Sequence, residues 1–182
     1  MRETASAWLR GLEKVRPRGK TRRAQDGPGT LSGGHGTSPA YLLDTSAVVA
    51  LLEDEPGADR VQHILRHETV LLPFVVSLEL YYITLQEKGE EMADRRYGLL
   101  KALRVSHLLE VSEPVLLTAG RFKAHYPLSL ADAIIAAFAH RHRAVLVHKD
   151  PEYEALDGVV RLESLPYKPA GRRTALARRR RR

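Results

Sequence analysis

The chain has 182 residues, 28% of them charged, which is enough for one folded domain with a sizeable core. It contains no cysteine, so disulfide frameworks, thiolate zinc sites and cysteine nucleophiles are excluded. No apolar run approaches the roughly 18 residues of a membrane span, and the first residues lack the apolar segment of a secretory signal. We therefore expect a cytoplasmic protein that makes no use of a membrane.

The formal net charge of +7 is unevenly distributed. Residues 1–39 carry +5, residues 168–182 carry +8, and the stretch between them carries −6. Residues 1–39 are rich in Gly, Arg, Ser, Thr and Pro, and residues 168–182 are rich in Arg. This predicts a disordered basic leader over 1–39, a folded domain over 40–167 and a disordered basic tail over 168–182. One short helix at Ala5–Val15 is the exception. Such tails either bind nucleic acid phosphates or are simply solvated.

Within the folded part, short apolar runs alternate with longer stretches of helical periodicity. Strands are predicted at Tyr41–Asp44, Thr69–Leu72, His107–Val111, Ala144–Val147 and Val159–Leu162. Helices are predicted at Ala47–Glu53, Gly57–His67, Val75–Lys88, Glu90–Leu103, Glu113–His125 and Ser129–His142. This alternation indicates βαβ units and a parallel sheet that is covered on both faces.

Four carboxylates stand in apolar surroundings. Asp44 and Asp150 each end an apolar strand, and Glu79 and Asp132 lie inside helices that are apolar nearly all round. Such helices are expected to be buried, and a carboxylate is rarely buried unless it is paired or bound to a metal. Few basic residues are near in sequence. An all-oxygen ligand set favours Mg²⁺ or Mn²⁺ between the acids.

Each acid also has a simpler explanation. Asp44 is a favoured N-cap residue for the helix that follows it. Ser129 and Asp132 have the spacing of a capping box. Asp150 precedes a proline and suits the start of a turn, and Glu79 would be a surface residue if its helix were less buried. Four accidents together are much less probable than any one, because parallel strands bring their carboxyl ends to one edge.

The segments around these acids resemble those of the PIN domain (PilT N-terminus) family, and within it the VapC toxins of toxin–antitoxin pairs. The resemblance covers about residues 40–167. The segments that carry it are Leu43-Asp44-Thr45-Ser46-Ala47, Ser77-Leu78-Glu79-Leu80, Leu128-Ser129-Leu130-Ala131-Asp132-Ala133-Ile134-Ile135-Ala136 and Leu146-Val147-His148-Lys149-Asp150.

This resemblance implies a three-layer α/β/α sandwich with a central, mostly parallel sheet. It implies a metal-dependent endoribonuclease in which Asp44, Glu79, Asp132 and Asp150 hold Mg²⁺ or Mn²⁺ and Ser46 supplies a hydroxyl next to the first acid. It also implies an RNA substrate, a cognate antitoxin and a homodimer. His148 departs from the family, which often has Thr or Ser two residues before the last acid, so Asp150 is the least certain of the four ligands.

Other functions fit parts of the pattern. A phosphatase of the haloacid dehalogenase type needs a second Asp at the position of Ser46, and a response-regulator receiver needs paired acids at the end of the first strand. A non-catalytic PIN-fold module that binds RNA or a partner, or a housekeeping RNA-processing nuclease, stays open. In the nuclease interpretation, basic residues that would hold the RNA backbone are Lys149, Arg141, Arg143, Arg121 and Lys123.

Overall fold

A five-stranded sheet forms the centre of the protein. The computed structural model describes residues 7, 8, 11 and 39–167. The strands are β1 (Tyr41–Leu43), β2 (Val70–Pro73), β3 (Ser106–Leu108), β4 (Val145–His148) and β5 (Arg161–Ser164). They are arranged in the order β3-β2-β1-β4-β5, and every neighbouring pair is parallel. The predicted parallel sheet is therefore confirmed, with no antiparallel strand in it.

Helices connect the strands and flank the sheet, which makes the predicted α/β/α sandwich. They pack in consecutive pairs, α1 with α2, α3 with α4 and α5 with α6. Their bounds are α1 (Thr45–Leu52), α2 (Ala58–His67), α3 (Phe74–Lys88), α4 (Glu90–Ala102), α5 (Glu113–His125) and α6 (Leu130–Arg141). A 3₁₀ helix, Pro151–Leu156, joins β4 to β5.

The core lies around the central strands. Leu42, Leu43, Leu72 and Leu146 are completely buried, as expected for strands that have helices on both sides. The edge strands β3 and β5 keep exposed or half-buried residues throughout. Where α1 turns into α2, Gly57 has a φ of 103°, and a Cβ there would lie 3.1 Å from the Cβ of Leu165. Only glycine satisfies both conditions without strain.

The strand order reverses beside Asp44. The chain runs outward from β1 to β2 and β3, and then continues on the other side of β1 with β4 and β5. In open parallel sheets, ligands bind outside the carboxyl ends of the strands at such a reversal. Asp44 directly follows β1, and Asp150 follows β4 by two residues. The fold therefore directs two of the four predicted acids to one place.

Most predicted elements are confirmed within two residues of their bounds, with three differences. β3 ends at Leu108, because Leu109 and Val111 continue the apolar run in sequence but stay exposed and do not pair. β5 begins two residues later than predicted. The 3₁₀ helix Pro151–Leu156 was not predicted at all.

Little of the predicted leader and none of the predicted tail falls within the described residues. Ala7, Trp8 and Gly11 are helical, within the helix predicted at Ala5–Val15, and the Arg66 guanidinium lies 5.4 Å from the centre of the Trp8 ring. The remainder of that helix, the rest of the leader up to residue 38 and the tail at 168–182 lie outside the described residues. Among the residues that are described, no helix has the length and apolar character to cross a bilayer.

Candidate active site

Asp44 is completely buried at the carboxyl end of β1, and one of its carboxylate oxygens caps the N-terminus of α1. Its Oδ2 accepts hydrogen bonds from the backbone N–H of Ser46 at 2.9 Å and from the Ser46 hydroxyl at 2.5 Å. The N-cap explanation is therefore correct. It accounts for Oδ2 only, so Asp44 can cap α1 and serve a site with its other oxygen.

Asp132 is also completely buried, and Ser129 holds it at the first turn of α6. The Ser129 hydroxyl accepts the backbone N–H of Asp132 at 3.1 Å and makes a short hydrogen bond to Asp132 Oδ2. The predicted pairing of Ser129 with Asp132 at the helix cap is confirmed. As with Asp44, the cap contact engages Oδ2.

The two Oδ1 atoms meet at a residue that the sequence analysis did not single out. The Tyr153 hydroxyl lies 2.9 Å from Asp44 Oδ1 and 3.1 Å from Asp132 Oδ1. Tyr153 is completely buried in the 3₁₀ helix. The available signal was its position three residues after Asp150, because a helical turn that begins at Pro151 brings these two positions to the same side.

Glu79 joins this group through a threonine. It is 4% exposed, so the surface explanation is wrong, and its Oε2 accepts a hydrogen bond of 2.6 Å from the Thr45 hydroxyl. Thr45 is the first residue of α1 and directly follows Asp44. The expectation that α3 is buried all round is only partly correct, because Leu78, Tyr82 and Leu85 form an exposed apolar face on it.

Ser46 connects the ends of β1 and β4. Besides its bonds to Asp44, its hydroxyl accepts the backbone N–H of Lys149 at 2.8 Å. Asp150 is half-buried, and its Oδ1 accepts the backbone N–H of Glu152 at 2.9 Å, so it caps the 3₁₀ helix as the turn explanation required. Asp150 therefore stands at the same sheet edge as Asp44, in a structural role of its own.

His148 replaces the hydroxyl residue that the family resemblance led us to expect. It is completely buried, its Nδ1 lies 2.8 Å from the Asp150 carbonyl oxygen and its Nε2 lies 3.3 Å from the Ser164 hydroxyl. Burial lowers the pKa of His148, and this outweighs the opposing effects of the Asp150 carbonyl and of the nearby carboxylates of Asp44, Asp150 and Glu154. A neutral ring that donates from Nδ1 to Asp150 satisfies both contacts. The ring thus supports the backbone that carries Asp150.

The described residues do not form a complete set of metal ligands. Among the described residues, no three Asp, Glu, His or Cys side chains are grouped closely enough to hold a metal ion. What the structure brings together is a pair, Asp44 and Asp132, with Glu79 linked to it through Thr45 and Asp150 in the adjoining turn. The Tyr153 hydroxyl has one proton for two carboxylate oxygens, and a cation would compensate this concentration of negative charge.

The five basic residues predicted to hold the RNA backbone lie in different surroundings from one another. Lys149 has a side chain only 5% exposed, and its Nζ bonds to Glu55 Oε2 at 2.9 Å and to the Pro56 carbonyl at 3.1 Å. Lys123 Nζ donates to the Leu128 carbonyl at 2.6 Å. Arg141 and Arg143 line a cavity of about 380 Å³. That cavity lies beside the start of β4, at the opposite edge of the sheet from the acids. Arg121 is exposed, and its contact with the RNA backbone stays a prediction.

Comparison with known proteins identifies the fold family. The PIN domain sequence profile matches residues 41–159. No curated protein matches the chain by sequence. Among solved structures, VapBC2 from Rickettsia felis bound to a DNA fragment from its promoter has a TM-score of 0.59 at 17% identity, covering 70% of this chain and 99% of that one.

Two further structures give the same result. VapBC-1 from nontypeable Haemophilus influenzae has a TM-score of 0.55 at 24% identity and covers 69% of this chain and 97% of that one. The Mycobacterium tuberculosis toxin VapC20, which cleaves the sarcin–ricin loop, has a TM-score of 0.54 at 16% identity and covers 69% and 99%. At these identities the similarity establishes a shared fold.

Proposed function

Because the chain belongs to the PIN domain family and has a VapC-like fold, we propose that it is a metal-dependent endoribonuclease and the toxin of a toxin–antitoxin pair. One observation carries the proposal beyond family membership. Two completely buried carboxylates from distant parts of the chain, Asp44 and Asp132, turn their Oδ1 atoms to a common point at the carboxyl edge of the sheet. Buried acids converging in this way are typical of a functional site.

The chemistry of the donor atoms suits a divalent cation. Asp44 and Asp132 would hold it, with Asp150 and Glu79 completing the site directly or through water. All these donors are oxygen atoms, which suits Mg²⁺ or Mn²⁺. When bound, the cation would offset the charge of the acids, polarise the phosphoryl group of the substrate and make water in the site more acidic.

The protein's own groups have distinct tasks in this proposal. Ser46 and Ser129 hold the Oδ2 atoms of the two aspartates, so that each carboxylate keeps one orientation. Thr45 holds Glu79 by its Oε2. Glu79 is the general base that takes the proton of the attacking water. The water oxygen bonds to phosphorus, the P–O bond to one nucleotide breaks, and the leaving oxygen takes a proton from solvent. Without compensation these acids would repel RNA, because both are negatively charged, and residues 40–167 together carry a formal charge of −6.

An exposed apolar face supports the proposal of protein partners. Leu78, Tyr82 and Leu85 on α3 are 55%, 39% and 41% exposed, and Tyr97 on α4 is 41% exposed. An apolar patch of this kind on a small domain is typical of a protein contact. We assign this face to the antitoxin or to a second copy of the chain, consistent with the toxin–antitoxin complexes among the structural relatives.

The test is cleavage of a panel of structured RNAs, a sarcin–ricin loop hairpin among them. The full chain is incubated with Mg²⁺, with Mn²⁺ and with EDTA. We expect cutting at discrete positions that EDTA abolishes and that Asp132→Asn lowers roughly a hundredfold or more. Asp59→Asn, the same chemical change at an exposed position of α2, is the matched control and should cut at the wild-type rate.

Three results would contradict the proposal in whole or in part. Cleavage by Asp132→Asn at the wild-type rate would show that Asp132 does not belong to the active site. A folded protein that neither cuts any RNA nor binds Mn²⁺ would instead favour a non-catalytic PIN module. Metal-dependent cutting that a purified cognate antitoxin does not inhibit would favour a housekeeping RNA-processing nuclease over a toxin.

A further inference from the structure

Tyr153 links two parts of the candidate site that are far apart in sequence. Its ring is completely buried in the 3₁₀ helix Pro151–Leu156 and lies 5.1 Å, centre to centre, from the His148 ring. Asp150 is the N-cap of this helix, and the backbone N–H of Tyr153 donates to the Asp150 carbonyl at 3.3 Å. Tyr153 and Asp150 therefore belong to one compact turn.

The Tyr153 hydroxyl lies against the oxygen of each aspartate that does not serve a helix cap. The Oδ2 atoms of Asp44 and Asp132 are engaged by the serines at the two helix caps. The Tyr153 hydroxyl lies 2.9 Å from Asp44 Oδ1 and 3.1 Å from Asp132 Oδ1. It is thus within hydrogen-bonding distance of one acid that follows β1 and one acid in the first turn of α6.

Burial keeps this hydroxyl in place. The ring is part of the hydrophobic core, so it cannot swing away from the acids without opening the packing around it. Each carboxylate oxygen has two lone pairs, so an Oδ1 atom that accepts from Tyr153 on the core side can still bind a cation with its other lone pair. The hydroxyl is therefore a fixed support of the acids.

We propose that Tyr153 is a positioning residue of the metal site: its one hydroxyl proton, shared between the Oδ1 atoms of Asp44 and Asp132, holds these atoms together, and its place in the 3₁₀ helix ties to them the turn that carries Asp150. This inference rests on the proposed function, because it assumes that these acids bind a divalent cation. It adds that the site depends on a phenol hydroxyl and that Tyr153 connects the turn of Asp150 to both aspartates, beside the link that Ser46 makes between Asp44 and the backbone of Lys149. Partners that orient metal-ligating carboxylates typically control metal affinity.

The experiment measures Mn²⁺ affinity by calorimetry on chelator-treated full-length protein. Tyr153→Phe keeps the ring and removes only the hydroxyl. We expect this variant to bind Mn²⁺ about 10- to 100-fold more weakly than the wild type, with an unchanged far-ultraviolet circular dichroism spectrum. Ile64→Val, a mild cavity in α2 that does not involve the acids, lowers stability and should leave Mn²⁺ affinity unchanged.

A second readout isolates the link to Asp150. Asp150→Asn is made in the wild type and in Tyr153→Phe, and the fold-loss of Mn²⁺ affinity is compared. If Tyr153 positions Asp150, the loss is smaller when the hydroxyl is already absent. A purely structural role for the hydroxyl would lower the thermal midpoint of metal-free Tyr153→Phe and leave both Mn²⁺ measurements unchanged. That result would overturn the inference.

The outcomes distinguish the inference from the proposed function. If the wild type binds Mn²⁺, Asp132→Asn does not, and Tyr153→Phe binds as tightly as the wild type, the metal site stands and the inference is wrong. If the wild type binds no Mn²⁺, or binds it no better than Asp132→Asn, the metal site itself is wrong and the inference falls with it.

Discussion

Thr45→Val tests how strongly the protein depends on the hydrogen bond inside its acidic cluster. The substitution replaces a hydroxyl by a methyl group of similar volume, so it perturbs packing little. Thr45 is 1% exposed and Glu79 is 4% exposed, and their side chains are joined at 2.6 Å. The variant therefore removes a donor from a carboxylate that is almost completely withdrawn from water.

The expected cost follows from the charge of the acceptor. A hydrogen bond to a charged group contributes about 1.5–3 kcal/mol to stability, compared with about 1 kcal/mol for a neutral pair. For a chain of this size, each kcal/mol lowers the melting temperature by roughly 2–4 °C. We therefore expect Thr45→Val to melt roughly 3–12 °C below the wild type in the presence of EDTA.

Thr118→Val is the matched control, measured in the same melting experiment. Thr118 is 7% exposed, and its hydroxyl donates at 2.7 Å to the Pro114 carbonyl, a neutral acceptor one helical turn earlier. Its removal should cost less than about 1 kcal/mol. The reasoning is refuted if Thr45→Val is no less stable than Thr118→Val, or if Thr45→Val is equally costly in a Glu79→Gln background.

Two further predictions concern groups outside the acidic pair. Lys149→Met should lower the free energy of unfolding by about 1–3 kcal/mol in a urea titration, because it leaves the partly buried Glu55 carboxylate without its 2.9 Å ion pair; an unchanged midpoint would show that the pair contributes nothing. Burial and the charge of Lys101 lower the pKa of His107, whose Nε2 is buried without a hydrogen-bond partner. The unfolded chain therefore binds the proton more readily than the folded one, and stability is lost as the pH falls below about 6.5. In His107→Leu this contribution is absent, so its urea midpoint should fall less between pH 7.5 and pH 5.5 than that of the wild type. An equal fall in both proteins would contradict the assignment.

The sequence left two interpretations open for Asp44 and Asp132, a helix cap and a metal ligand, and the structure is compatible with both. Asp44 caps α1 through its Oδ2, while its Oδ1 faces the Tyr153 hydroxyl at the proposed site. The same division holds for Asp132. A sequence pattern identifies a residue, whereas these roles belong to individual atoms. The cap interpretation and the ligand interpretation therefore do not exclude each other for either residue, because they concern different oxygen atoms.

The sequence by itself determined the order of strands and helices, the parallel sheet and the group of buried acids. These follow from local properties: apolar runs of strand length, helical periodicity, and the high cost of placing a carboxylate among apolar residues. It could not determine the contacts between residues far apart in the chain. The Tyr153 hydroxyl meets Asp44 across 109 positions, and Lys149 meets Glu55 across 94.

Only the tertiary structure decided which polar groups serve the site. The sequence analysis assigned Lys149 to the RNA backbone, but packing directs it to Glu55. It did not single out Tyr153, whose hydroxyl the fold brings to two carboxylates. The physical reason is that hydrogen bonds and ion pairs act only over a few ångströms and in narrow directions. Whether two such groups meet therefore depends on how distant segments pack, which no local pattern encodes.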